Sequence, residues 1–289
     1  MRWRGRRGSR NVEDRRASRG GRMLRRAGGG GVGVLVLALV AMYFGVDPSI
    51  VLNQGGSMLG GDPGSERESY QPTAQEQELA QFISVVLADT EDTWNMIFSG
   101  ADRQYKEPKL VLFSGSVKSA CGMGQAAMGP FYCPADMKAY IDLSFYQDLK
   151  KRHKAPGDFA QAYVVAHEIG HHVQNLLGIS GKVQKAKRQA SKSEANALSV
   201  KLELQADCLA GVWAHDANRT RQLLEQGDVE EALNAASAIG DDRLQKQARG
   251  YITPESFTHG SSAQRVRWFK IGLAKGDVNS CNTFNAAQL

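Results

Sequence analysis

The 289-residue sequence predicts a helix-rich α+β domain with a small sheet, preceded by a single N-terminal transmembrane helix. Three observations predict this organisation. Apolar residues recur at helical spacing in most of the chain after residue 75, whereas two short runs, 109–113 and 139–143, are typical of strands. Residues 32–46 contain no charged side chain. The helical pattern at 162–178 also carries the residues that point to a function.

The first 26 residues hold the positive charge. They contain eleven Arg and no Lys against Glu13 and Asp14, a net +9 that leaves −3 of the total +6 for the rest of the chain. A Gly/Arg-rich segment cannot build a core, so we expect a cytoplasmic tail at 1–26. A disordered RNA-binding arm is the alternative. No nucleic-acid partner is expected, because the remainder is mildly acidic.

Residues 27–46 are expected to form the transmembrane anchor. About twenty uncharged residues suffice to cross a bilayer as a helix, and the Arg-rich flank predicts a cytoplasmic N-terminus with the domain outside the cell membrane. A cleaved signal peptide is the alternative, but the sequence MYFG at 42–45 offers no small-x-small cleavage site. Residues 47–73, rich in Gly, Ser, Pro and Gln, predict a flexible linker, which leaves 74–289 for the folded domain.

The four cysteines support an exported domain. Cys121 and Cys133 bracket a Gly-rich stretch, while Cys208 and Cys281 are distant in sequence. An even count in an exported domain predicts two disulfides, and Cys121–Cys133 with Cys208–Cys281 is the most favoured of three pairings. Zinc binding by these cysteines is less favoured because no C-x-x-C spacing occurs.

The first part of the domain is expected to supply scaffold and sheet. Residues 75–98 predict an amphipathic helix, and the strand candidates 109–113 and 139–143 follow. Between them, residues 120–127 are small and Gly-interrupted. They are a candidate edge strand to which an extended peptide adds, with an ordinary disulfide-stapled loop as the alternative.

The rest of the domain is predicted to be helical. Residues 145–152 predict a short helix, and Pro156-Gly157 breaks the chain before the helix at 162–178, which Asp158 is expected to cap. Beyond it, the pattern predicts a loop or exposed helix at 179–192 and helices at 193–215, 228–238, 241–249 and 262–274.

The helix at 162–178 reads AYVVAHEIGHHVQNLLG and contains the pattern His-Glu-x-x-His. His167 and His171 lie four residues apart and share a helix face. Two imidazoles so placed can bind one zinc ion, and Glu168 can reach a water on that metal. The alternative, a solvated face with scattered His, is atypical of so apolar a helix. His172 is turned about 100° away from His171, so we expect it to pack or cap.

A catalytic zinc requires a third protein ligand. The candidate is Glu203, in the sequence LELQAD, because the next His after this helix is the distant His215. Asp207 follows Glu203 by four residues and shares its helix face, where it can accept the free N–H of a ligand His. A solvated acidic helix face is the alternative, but the neighbouring residues are apolar.

These motifs resemble a known family. His-Glu-x-x-His followed by Glu-x-x-x-Asp on a later helix is the pattern of the gluzincin zinc proteases. The N-terminal anchor and the segments HEIGHHVQN, ELQADCLAG and YCPAD together resemble the neutral zinc metallopeptidases of bacteria. The resemblance covers the whole chain and implies a zincin-like metallopeptidase domain with Zn²⁺ as cofactor. It does not supply a substrate.

A second resemblance lies near the C-terminus. Residues 258–265 (THGSSAQR) are similar to the T-H-P-x-x-x-x-R segment of integral-membrane zinc proteases that process prenylated proteins, with Gly260 in place of Pro. On this resemblance, His259 and Arg265 are candidate catalytic donors to the oxyanion, and Tyr251 is a weaker candidate. A helix-capping His and a surface salt bridge are the alternatives.

Together these features predict a membrane-anchored endopeptidase that hydrolyses peptide bonds with a zinc-activated water. Glu168 is its expected general base, and a protein or peptide is its expected substrate. A zinc amidase acting on cell-wall peptides uses the same chemistry and stays open. A non-catalytic zinc-binding or chaperone-like module is less favoured, because a structural site needs no general base.

Overall fold

The computed structural model describes residues 1–17 and 70–289, apart from the side chain of Ala127. Residues 1–17 and 72–289 form one compact unit. The predicted anchor at 27–46 and most of the linker at 47–73 lie outside the described residues. Among the helices of the described ranges, none combines the length and the apolar character that a membrane crossing requires.

The prediction of a helix-rich α+β fold with a small sheet is confirmed. The helices are α1 (Ala74–Ser99), α2 (Ser144–Lys151), α3 (Asp158–Leu176), α4 (Ile179–Lys187), α5 (Lys192–Arg221), α6 (Asp228–Ala238), α7 (Asp241–Arg249) and α8 (Ser262–Lys275). The strands are β1 (Val12–Asp14), β2 (Lys109–Phe113), β3 (Ser116–Ser119), β4 (Gly122–Gln125), β5 (Phe131–Cys133) and β6 (Lys138–Asp142). The predicted strands thus correspond to β2 and β6.

The main sheet has four strands in the order β1-β2-β6-β5. Strands β1, β2 and β6 are parallel, and β5 runs antiparallel to β6 at one edge. Strands β3 and β4 form a separate antiparallel hairpin. The expected edge strand at 120–127 therefore belongs to this hairpin, whereas the edge strands of the main sheet are β1 and β5. Disulfide Cys121–Cys133 links the hairpin to β5.

Residues 1–17 are part of the domain, so the prediction of a tail without a core is wrong for them. Strand β1 extends the main sheet, and the Trp3 ring packs edge-on against Phe82 of α1 at 5.3 Å between centroids. Three arginines of this segment, Arg2, Arg4 and Arg7, have acidic partners elsewhere in the domain, as in the pair between Arg7 and Asp92 at 2.7 Å. Charge counted along the sequence does not reveal such pairing.

Helix α3 begins one residue after Gly157, whose φ of 120° favours glycine. Asp158 is its first residue rather than its cap. The Asp158 carboxylate accepts a hydrogen bond from the Met1 amino group at 2.8 Å. The backbone N–H of Phe159 donates instead to Glu231 of α6 at 3.0 Å, which satisfies one exposed donor at the start of α3.

Helices α3 and α5 cross closely at Gly170. A Cβ at this position would lie 2.9 Å from the backbone oxygen of Ala206, closer than real Cβ contacts allow. The absence of a side chain at Gly170 therefore lets α3 and α5 approach each other closely near the residues of both motifs. Farther along α5, the disulfide Cys208–Cys281 fastens the C-terminal segment to this helix. Both predicted cysteine pairings are confirmed.

Candidate metal centre

The crossing of α3 and α5 brings together three of the residues singled out in the sequence. Glu203 Oε2 lies 3.1 Å from His167 Nε2, and Glu203 Oε1 lies 3.5 Å from His171 Nε2. The three ligand atoms all lie within 4.8 Å of one another. Ligands of a tetrahedral zinc at about 2.0–2.2 Å are separated by about 3.3–3.5 Å. The two nitrogens and one carboxylate therefore fit Zn²⁺.

The electrostatics of this cluster favour a bound cation. Burial lowers the pKa of His167, but the carboxylates of Asp207 and Glu203 raise it to about 10. Burial raises the pKa of Glu203, but His171 and His167 beside it lower it well below its usual range. Positive charge is thus stabilised between the Nε2 atoms and the Glu203 carboxylate. A metal ion that displaces the protons supplies positive charge at the same place.

Asp207 orients the first histidine. Its Oδ1 lies 2.8 Å from His167 Nδ1, which leaves Nε2 to face Glu203. Burial raises the pKa of Asp207, but the Arg265 guanidinium and His167 lower it to about 2, so the carboxylate is an anion. The Tyr163 hydroxyl also donates to Oδ1. Such a partner fixes both the tautomer and the ring orientation of a ligand His.

The second histidine is oriented by Gln174, which the sequence analysis missed. His171 Nδ1 lies 2.9 Å from Gln174 Oε1. The Gln174 amide donates to the Leu202 carbonyl at 2.7 Å and to Gln205 Oε1 at 3.1 Å, which holds it in place. Its position three residues after His171 on one helix was a usable signal, because such residues are neighbours on the helix surface.

Glu168 is buried beside the candidate ligands, with 6% of its surface exposed. Burial raises the pKa of its carboxyl group, while His167 and His171 lower it by a smaller amount. A carboxylate with a raised pKa is a better proton acceptor than one in water. Position and basicity are therefore both suited to proton transfer at this site.

His259 lies on a loop held by Asp241, another residue that the sequence analysis missed. Asp241 Oδ2 accepts hydrogen bonds from the backbone N–H groups of Thr258, His259 and Gly260 at 2.7, 2.6 and 3.1 Å. Gly260 has a φ of 91°, which proline cannot adopt. Hydrogen bonds to the Asp241 carboxylate thus organise this loop.

The His259 side chain is 52% exposed and paired with Asp241 at 3.3 Å. The hydrogen bond to Asp241 raises its pKa, and the Glu203 carboxylate contributes to the same shift although burial opposes it. The imidazole is thus available to a ligand and lies within the electrostatic influence of the candidate metal ligand.

Arg265 differs from its predicted role as a donor to the oxyanion. Its side chain is 3% exposed, and its guanidinium donates to both Asp207 oxygens at 2.9 Å and to the Tyr163 hydroxyl at 3.1 Å. It therefore supports the residue that orients His167. Sequence resemblance could not show this, because the contact joins residues 58 positions apart.

The remaining candidates lie at the periphery. His172 packs on the far side of α3, where its Nδ1 lies 2.9 Å from the Tyr132 hydroxyl and its Nε2 lies 2.6 Å from the Lys106 carbonyl. Burial lowers its pKa to about 4. Tyr251 is 61% exposed and lies under the Arg249 guanidinium.

Comparison with known proteins matches nearly the whole chain. A family model described as "Putative neutral zinc metallopeptidase" matches residues 1–284. The uncharacterized protein YpfJ of Escherichia coli K12 is 52% identical over 291 residues, covering 98% of this chain and 99% of its own length. The uncharacterized protein Mb2605 of Mycobacterium bovis is 43% identical over 262 residues, 86% of each chain. No solved structure matches.

Proposed function

Since the chain belongs to the neutral zinc metallopeptidase family, we propose that it is a zinc-dependent endopeptidase whose metal ligands are His167, His171 and Glu203. The observation that carries the proposal is the convergence of these three ligand atoms next to the buried Glu168. Three protein ligands leave one position free for chemistry, as in catalytic rather than structural zinc sites.

The chemistry divides between the metal and the side chains. When bound, zinc supplies Lewis acidity to the scissile carbonyl and to water. Glu168 accepts the proton of the attacking water and passes it to the leaving amine. His259, whose pKa is raised by its hydrogen bond to Asp241, donates a hydrogen bond where negative charge develops on the carbonyl oxygen. Asp207 and Gln174 hold the two imidazoles in the orientation that this reaction requires.

Strand β5 is the proposed substrate-binding edge. It lies at the end of the main sheet and is tied to α3 because Asn175 donates to the Tyr132 hydroxyl at 3.1 Å. An extended peptide can add to such an edge through backbone hydrogen bonds, which are independent of its sequence. The substrate class that follows is an unfolded or extended polypeptide.

The test compares three full-length variants with the wild type. We expect about one zinc per chain by elemental mass spectrometry and cleavage of casein by the wild type. Glu168→Gln should keep the zinc and lose about 10²–10⁴-fold in turnover, whereas Glu203→Ala should lose the metal. The matched control is Glu194→Gln on the same helix, because Glu194 caps α5 at an exposed position. It should resemble the wild type.

Two outcomes would count against the proposal. Full turnover in Glu168→Gln would remove the proton acceptor from the mechanism, and an unchanged zinc content in Glu203→Ala would place the third ligand elsewhere. Cleavage of cell-wall peptides without cleavage of casein would replace the endopeptidase by the amidase.

A further inference from the structure

A cavity of about 470 Å³ opens along the first turns of α5, the helix that also carries Glu203. Its walls come from the first turns of α5, from the segment that follows α7, and from the start of α8. The lining includes Asn196, Ala197, Val200, Pro254, Phe257 and Gln264. Its volume lies within the range of about 300–1,000 Å³ that is usual for sites that hold small organic groups.

The cavity and the metal centre share one face of α5. Residues 196, 200 and 203 follow at spacings of four and three, so their side chains lie above one another. At 1.5 Å per residue, Val200 is about 4.5 Å and Ala197 about 9 Å from Glu203 along the helix axis. An extended peptide advances about 3.3 Å per residue. A side chain one to three residues from the reacting bond therefore reaches the cavity.

The His259 loop forms the boundary between the two sites. A Cβ on Gly260 would lie 3.3 Å from Val200 and 3.2 Å from Leu204, so the loop rests directly on this face of α5. Phe257, at the start of the loop, lines the cavity. The half-exposed His259 lies on this same loop, within the electrostatic influence of Glu203.

The chemistry of the lining favours an apolar occupant. Ala197, Val200, Pro254 and Phe257 present hydrocarbon surface. Two polar side chains of the lining are engaged with the protein: the Asn196 amide donates to the Glu255 carbonyl at 3.0 Å, and Gln264 Oε1 accepts from the Ser261 N–H at 2.9 Å. Glu255 also lines the cavity, so an acidic side chain entering here would lose water and meet a like charge.

Resting on the proposed peptidase function, we infer that this cavity is the specificity pocket of the enzyme. It receives a large apolar side chain, such as Leu or Phe, close to the scissile bond. Selection by this pocket would direct the enzyme to hydrophobic stretches, which are accessible in unfolded polypeptides and buried in folded ones.

The test uses variants whose larger side chains fill the pocket, and it identifies the bonds that each variant cleaves. Wild-type full-length protein is incubated with a mixture of peptides of defined sequence, and the residues around each cleaved bond are identified by mass spectrometry. We expect large apolar residues to be enriched at one position. Ala197→Phe should lower kcat/KM for these substrates by about 10-fold or more while leaving substrates with Ala or Gly at that position unchanged, because pocket filling acts on the larger side chain.

The control is Ala274→Phe, an equivalent change at an exposed position of α8 that lines a different groove. It should leave the cleavage profile unchanged, and all variants should bind as much zinc as the wild type. Ala197→Leu, a smaller insertion, should shift the profile in the same direction to a lesser degree.

The outcomes separate this inference from the proposed function. Cleavage without apolar enrichment, or an unaltered profile in both Ala197 variants, would overturn the pocket assignment and leave the peptidase in place. Absence of cleavage by a zinc-loaded wild-type protein would overturn the peptidase itself, and the pocket assignment with it.

Discussion

Replacing Asp207 by Asn tests the electrostatic support of the metal centre. The substitution keeps the shape of the side chain and removes its charge. Asp207 is fully buried and binds His167 Nδ1 at 2.8 Å and the Arg265 guanidinium at 2.9 Å, besides accepting from the Tyr163 hydroxyl. The change therefore weakens the orientation of a candidate ligand and leaves a buried cation without its counter-ion.

Two separate losses are expected. Removing one partner of a buried ion pair destabilises a protein by about 3–5 kcal/mol, and the full range applies because Arg265 is only 3% exposed and water cannot replace the carboxylate. Loss of an outer partner of a ligand His lowers metal affinity by about 10–100-fold, or about 1.4–2.8 kcal/mol at about 1.4 kcal/mol per tenfold.

The two losses can be measured independently. Urea unfolding in the presence of a chelator gives the stability of the metal-free protein, and competition with a chromophoric chelator gives the zinc affinity. The double variant Asp207→Asn with Arg265→Met removes both charges. It should recover most of the stability but not the zinc affinity, because His167 still lacks an anionic acceptor.

Either measurement can refute the reasoning. Wild-type zinc affinity in Asp207→Asn would show that Asp207 does not act on the ligand. A double variant no more stable than the single one would show that the cost does not come from an unpaired guanidinium.

Three further predictions follow from the hydrogen bonds and ion pairs. Gln174→Ala removes the acceptor for a ligand histidine and should lower zinc affinity about 10-fold or more in the same competition assay. Asp241 raises the pKa of His259, so kcat should fall as pH rises through that raised value, and Asp241→Asn should move the fall to lower pH. Burial raises the pKa of Glu13, but Lys138 and Arg15 together lower it from 4.5 to about 2. The stability that Glu13 contributes should be complete above pH 4.5 and lost as pH falls towards 2, measured by urea unfolding against Glu13→Gln.

Each of these has a result that contradicts it. Unchanged zinc affinity in Gln174→Ala would leave its hydrogen bond without a role at the metal. If the dependence of kcat on pH is the same in Asp241→Asn as in the wild type, the fall in kcat at high pH comes from a group other than His259. If the stability of the wild type and of Glu13→Gln depends on pH in the same way, the ion pair of Glu13 does not contribute to that dependence.

The parts of the site that depend on helix geometry could be predicted from the sequence. His167 and His171 share a face because of their spacing alone, and the same argument relates Glu203 to Asp207. The pairing of the two helices was inferred from chemistry, since two histidines do not complete a catalytic site. Nothing in the sequence indicated that Gly170 is the position at which the two helices can approach each other closely.

Several contacts between distant segments could not be predicted. Arg265 was singled out correctly as a residue near the site but given the wrong role, because its partner depends on how α8 packs against α5. Asp241 sits in a short polar helix that resembles any surface helix, and only the fold brings it to the His259 loop. Residues 1–17 were misjudged since a segment's charge density says little when its counter-ions lie far along the chain.

Strand β1 also constrains the path of the chain across a membrane. Its backbone pairing with β2 requires residues 12–14 and 109–113 to share one compartment. An odd number of bilayer crossings between these strands would separate them.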